Sequence, residues 1–191
     1  MRLTHSIYTI AETIKRDTPC VVPIVLVRPD DFDLISDRRL LLILFNRYNR
    51  RSGRVSFFVP GYRFLRPRHA IVNDEKHLRE GIFNVEGLGH IQFMEDQFNN
   101  FLFELEHENT NYHNYGDAEL ILVQFIPKTE NEKASLDFST LRSYNLSDIY
   151  NQGANPQQGM RCVKHFIEQA ILILRQETRL EYVINQLSKI T

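Results

Sequence analysis

Tryptophan is absent from this chain, cysteine occurs only twice, and no apolar run approaches the length of a membrane span. With Cys20 and Cys162 alone, no disulfide framework is expected, and both thiols are expected to be reduced and buried. The longest apolar run, LLLILF at 40–45, falls far short of the roughly 20 residues that cross a bilayer. The segment MRLTHSIYTIAETIKRD has neither an uninterrupted apolar core nor a small-residue cleavage site. No secretory leader is therefore expected, no membrane partner is implied, and cytoplasmic location is the default.

Several chemical signatures are missing as well. There is no Gly-x-x-x-x-Gly-Lys-Ser/Thr loop for a nucleoside triphosphate and no Gly-x-Ser-x-Gly nucleophile elbow. Gly87-Leu88-Gly89 begins a dinucleotide fingerprint, but Gln92 stands where the third glycine belongs. Metal ligation is poorly served. Glu104 and His107 share one helix face, yet a carboxylate-bridged centre needs a second such pair, and none occurs. His113 and Glu108 add no ligand spacing of a structural zinc site. Cys162 and His165 stand one helical turn apart, with apolar neighbours that favour a core position for the thiol. No metal is expected, and no cofactor is specified.

What remains is an ordinary globular composition with an uneven distribution of charge. The 191 residues are 42% hydrophobic and 25% charged, enough for one domain with a single core. The net charge of −1 conceals two opposed blocks. Residues 28–68 hold ten arginines, no lysine and four aspartates, a balance of +6. Residues 86–137 hold eleven acids and two lysines, a balance of −9. An acidic block of that size disfavours nucleic acid as a partner. Arginine without lysine suits bidentate contacts to phosphate or carboxylate.

Periodicity predicts alternating helices and strands. Ile7, Ile10, Ala11 and Ile14 mark a short amphipathic helix. CVVPIVLV at 20–27 is a continuous β-branched run, the pattern of a strand covered on both faces, with Pro23 pointing to an edge or near-start position. A helix over 37–51 and a strand over 55–59 follow, together a right-handed βαβ unit. A short strand is predicted at 70–73, and a hairpin joins 82–85 to 90–93. Met94, Phe98, Phe101, Leu102 and Leu105 share a helical face, ELILVQFI at 119–126 is another buried strand, and 160–188 is helical. The expected fold is a single α/β domain of three layers. It has a mostly parallel sheet of four to five strands, helices on both faces and a hairpin at one edge. The polar segment 128–159 is read as a loop or lid.

In such sheets ligands bind beyond the carboxyl ends of the strands. Arg28, Asp30 and Asp31 follow the first long strand; Gly61, Tyr62, Arg63 and Arg66 follow the second; Pro127 and Lys128 follow the last. On one rim, Arg28, Arg63 and Arg66 would clamp an anion. Gly61 would admit it closely, Tyr62 would stack, and Asp30 or Asp31 would bind a ribose hydroxyl or a divalent ion. Glu104, at the border of the apolar stripe, is the candidate acid–base residue for glycosidic or phosphoester cleavage. The bland alternative pairs Arg28 with Asp30 or Asp31, and Arg66 and Arg68 with the acidic block. The order of elements, with a glutamate on a helix near the rim, resembles small nucleotide-handling α/β domains such as the Toll/interleukin-1-receptor type, with no continuous motif shared. Two functions are thus expected: a domain binding a nucleotide or other phosphorylated small molecule, or a non-catalytic assembly subunit. The subunit would meet an acidic protein surface through its arginines, or form homo-oligomers through its C-terminal helices.

Overall fold

The computed structural model describes residues 2–29, 55–65, 82–85 and 89–191. The predicted helix over 37–51 and strand over 70–73 lie outside them. The elements in chain order are β1 (Arg2–Thr4), α1 (Ile7–Thr13), β2 (Cys20–Leu26), β3 (Phe58–Pro60), β4 (Tyr62–Phe64), β5 (Ile82–Val85), β6 (Gly89–Phe93) and α2 (Glu95–Glu108). The second half adds β7 (Glu119–Ile126), β8 (Ser135–Asn145), α3 (Leu146–Asn151), α4 (Pro156–Gln176) and α5 (Leu180–Leu187).

The fold is α/β around a mixed five-stranded sheet ordered β1-β3-β2-β7-β8. β1 and β2 both run parallel to β3, whereas β7 runs against β2 and β8 against β7. The expected parallel neighbourhood of the segments near 24 and 57 is present, at Ile24↔Phe58. The antiparallel course of β7 is a correction, because it carries Pro127 and Lys128 to the opposite rim from Arg28. A second sheet, β4-β6-β5, is antiparallel throughout. The predicted hairpin belongs to it, not to an edge of the main sheet.

β2 is buried at every position, and its alternation divides the interior. Val21, Val25 and Val27 join a cluster with Leu120, Leu122 and residues of α3, α4 and α5. Cys20, Val22, Ile24 and Leu26 join another with Ile121, Val123 and residues of α1 and α2. A strand apolar on both faces therefore requires helices from both ends of the chain. α4 supplies the larger cover, with Met160, Val163, Phe166, Ile167, Ala170 and Leu174 on one stripe. Its start is set by Asn155, whose side chain accepts the Gln158 N–H, and by Pro156 in the first turn.

Pro23 lies in the middle of an internal strand, contrary to the edge or near-start position expected of it. β2 meets β3 only at Ile24↔Phe58, so no ladder with β3 exists at position 23 for the missing N–H to interrupt. The segment 128–159, read as a loop or lid with a short helix near Asp148, contains that helix as α3 but also β8 and the start of α4. Its pattern was hard to read because β8 is bulged. Leu122 pairs with Arg142 and Gln124 with Asp137, so two steps along β7 match five along β8. Inward positions then fall at Leu136, Phe138 and Leu141, breaking the period of two. Thr140 Oγ1 repairs the ladder by accepting the Gln124 N–H at 3.0 Å.

One buried acid opens β7. Glu119 accepts a 2.6 Å hydrogen bond from the Tyr112 hydroxyl, and both side chains are buried. Burial pushes the Glu119 carboxyl above its ordinary value. An acid shifted that way holds its proton more readily folded than unfolded. Its contribution is complete below the unfolded value of about 4.3 and is lost as pH rises through the folded value. Glu119→Gln keeps an acceptor for Tyr112 without the charge. It is expected to be more stable than wild type at pH 7 in urea titrations, with the gap closing toward pH 4.

Candidate functional site

Beyond the carboxyl end of β2, the structure gathers three of the predicted residues around the adjoining rings of Phe93 and Phe98. The Arg28 guanidinium carbon lies 4.7 Å from the centroid of Phe98, and its Nη1 donates to Gly116 O at 2.9 Å. Gly61 turns the chain from one sheet into the other at φ +77°, and its carbonyl accepts the Met94 N–H at 2.6 Å. A Cβ at Gly61 would lie 2.6 Å from Phe98 Cβ. The close approach that needs glycine here is by α2, not by a ligand. Tyr62 is fully buried, its hydroxyl donating to Val27 O at 3.0 Å and its ring centroid 5.0 Å from that of Phe93. No face of Tyr62 is left for stacking on a base.

Arg63 and Glu104 are engaged elsewhere. Arg63 sits on β4 opposite Gln92 of β6, with Nε and Nη2 both donating to Gln92 Oε1. Glu104 Oε2 accepts from Ser6 Oγ at 2.7 Å and from the Ile7 N–H at 3.0 Å, which caps the start of α1. The carboxylate expected as an acid–base residue is thus engaged at a helix end. Asp30, Asp31 and Arg66 lie outside the described residues. Among the described acids of the 86–137 block, Glu108 takes the Tyr8 hydroxyl, Glu106 faces His113, and Glu119 takes Tyr112, while Arg68, like Arg66, lies outside the described residues.

Open space forms at the other end of β2. β1 and β2 both meet β3 at Phe58, and residues 20–23 run on past that point without it. The gap is a cavity of about 650 Å³, within the range of small-ligand sites. Arg2, Lys15, Arg16, Cys20 and Glu177 are among its lining residues. The Arg2 Nη1 donates to Thr13 O at 2.6 Å, which ties the end of α1 over β1. Burial pushes the Cys20 thiol up, and the hydrogen-bonded Arg16 guanidinium opposes that shift. The thiol is therefore protonated at neutral pH and is no nucleophile.

The cavity's acid is already matched. Glu177 Oε2 is 2.7 Å from Arg179 Nη2, and its Oε1 accepts the Thr178 and Arg179 backbone N–H groups. Those bonds lower the Glu177 carboxyl to about 2. A second cavity of about 700 Å³ shares Thr178 with the first and extends along the bulge of β8. Among the described residues, no group of three His, Cys, Asp or Glu is placed to hold a metal ion. No helix among them is long and apolar enough to cross a membrane. Both cysteines are free; Cys20 is buried, and Cys162 is half-buried against the core.

Sequence reasoning missed Arg2, Lys15 and Arg16. The pair Lys15-Arg16 at the exit of a predicted helix was the only local signal, and it is a weak one. Comparison with protein-family models, curated proteins and solved structures gave no match.

Two substitutions test these local roles. Gly61→Ala adds a positive-φ penalty to a clash with Phe98 and is expected to cost about 2–4 kcal/mol in chemical denaturation. Glu104→Ala is expected to cost about 1 kcal/mol, the scale of a lost helix cap, with reduced amide protection at Ile7 in hydrogen exchange.

Proposed function

We propose that the chain is a binding domain for a phosphorylated small molecule, nucleotides included, seated at the amino end of β2. The observation that carries this reading is the convergence of Arg2, Lys15 and Arg16 on one cavity whose lining acid, Glu177, is neutralised by Arg179. Charge-assisted hydrogen bonds contribute about 1.5–3 kcal/mol each, so two or three suffice for a useful affinity. The ligand class is the one expected from the arginine-rich composition; the place is not. A cytoplasmic location suits such a ligand.

Cleavage chemistry is not part of the proposal, since Glu104 is committed to α1. The assembly reading has less support. The apolar stripe of α4 is spent on the chain's own sheet, leaving Leu172 and Tyr182 as the exposed large apolar side chains of α4 and α5.

Calorimetric titration with AMP and inorganic phosphate tests the proposal. Lys15→Glu, at an exposed position, and the Lys15→Ala/Arg16→Ala pair are expected to weaken binding at least about tenfold, the equivalent of 1.4 kcal/mol. Arg63→Ala is expected to leave it unchanged. Absence of binding by either probe would overturn the reading. So would a loss caused by Arg63→Ala and not by the Lys15 and Arg16 variants.

A further inference from the structure

The second cavity differs in chemistry from the first. Four hydroxyl side chains line it, those of Thr18, Ser139, Thr140 and Thr178, together with the carboxylate of Glu181. Leu180 and Ile184 add apolar surface. Arg142 and Arg179 also line it, but the Arg179 guanidinium is held by Glu177. The Ser139 and Thr140 hydroxyl protons are spent on Asp137. That leaves the Thr18 and Thr178 hydroxyls, the acceptor capacity of Ser139 Oγ, the Glu181 carboxylate and an apolar wall, a setting that suits a neutral polyol ring and not a second phosphate.

Two devices build this surface. The β8 bulge lifts residues 138–141 out of the regular ladder, bringing Ser139 and Thr140 to the cavity wall. Asp137 steadies them: its Oδ1 accepts from Ser139 Oγ at 2.6 Å, and its carbonyl accepts from Thr140 Oγ1 at 2.6 Å. The other device is the turn between α4 and α5. Glu177 lines one cavity, Arg179 the other, and Thr178 both, so this turn is the boundary between them. The Glu177–Arg179 ion pair and the backbone bonds to Glu177 hold it in one shape.

We infer that the two cavities are subsites of one groove that takes a sugar phosphate. The phosphate lies against Arg2, Lys15 and Arg16, and the sugar hydroxyls lie against the bulge of β8 beyond Thr178. This rests on the phosphate reading above and names the ligand class for the same site. A nucleoside monophosphate is the extended form of that ligand, with its ribose in the second subsite.

The test compares inorganic phosphate with ribose 5-phosphate by calorimetry, on wild type, Thr18→Trp and Ser139→Ala. Thr18 is exposed, so tryptophan there fills the second cavity without entering the core; thermal melting verifies that each variant folds. Ribose 5-phosphate is expected to bind at least about tenfold more tightly than inorganic phosphate. Thr18→Trp should abolish that margin while leaving inorganic phosphate unaffected, and Ser139→Ala should narrow it. Equal affinities on wild type, or a margin untouched in both variants, overturn the sugar subsite and leave the phosphate reading standing. If neither probe binds, both fall. If inorganic phosphate alone is too weak to register, loss of ribose 5-phosphate binding in Thr18→Trp supports the inference, and retention overturns it.

Discussion

The architecture depends on β2 being buried on both faces while it holds different neighbours on its two edges. Seven residues pair with β7 in an unbroken antiparallel register, but only Ile24 pairs with β3. One edge is thus a full ladder and the other a single paired position. Below that position, Arg2 of β1 and the segment after α1 line the cavity. A sheet closed along both edges would leave no groove there. Pro23 belongs to the same arrangement, since the open edge asks for no ladder there.

The two ends of β2 differ in how their polar groups are satisfied. At the carboxyl end, Arg28, Gly61 and Tyr62 are consumed by packing around Phe93 and Phe98, and each polar atom named there has an internal partner. Such a cluster stabilises the junction of the two sheets. At the amino end Arg2 and Arg16 are bonded as well, Arg2 to Thr13 O and over the Phe58 ring and Arg16 to the Cys20 thiol, but there the cations also line a cavity whose acid is held in an ion pair.

Irregularity serves the groove as much as regularity does. The bulge in β8 costs ladder bonds, offset in part by the Thr140 hydroxyl, and turns a polar stretch toward the open end of the sheet. The 177–179 turn is braced by bonds within its own three residues.

Much of the secondary structure was legible from local pattern. β2, β7, the β5–β6 hairpin, α1, α2 and the two C-terminal helices all followed from apolar periodicity, because burial of one or both faces imposes that period directly. β8 escaped because its bulge breaks the period, and the polar face of an edge strand reads as loop. Strand direction escaped for a different reason. ELILVQFI carries the same apolar signal whichever way it runs, and its reversal moved Lys128 to the other rim. The candidate site was scarcely legible: Arg2, Lys15 and Arg16 carry no motif that marks them as lining one cavity. The sequence by itself determined which segments must be buried and on how many faces, since that is a matter of side-chain solvation along a short stretch. Tertiary structure alone decided which way strands run and which cations line a cavity, because both depend on contacts between residues far apart in the chain.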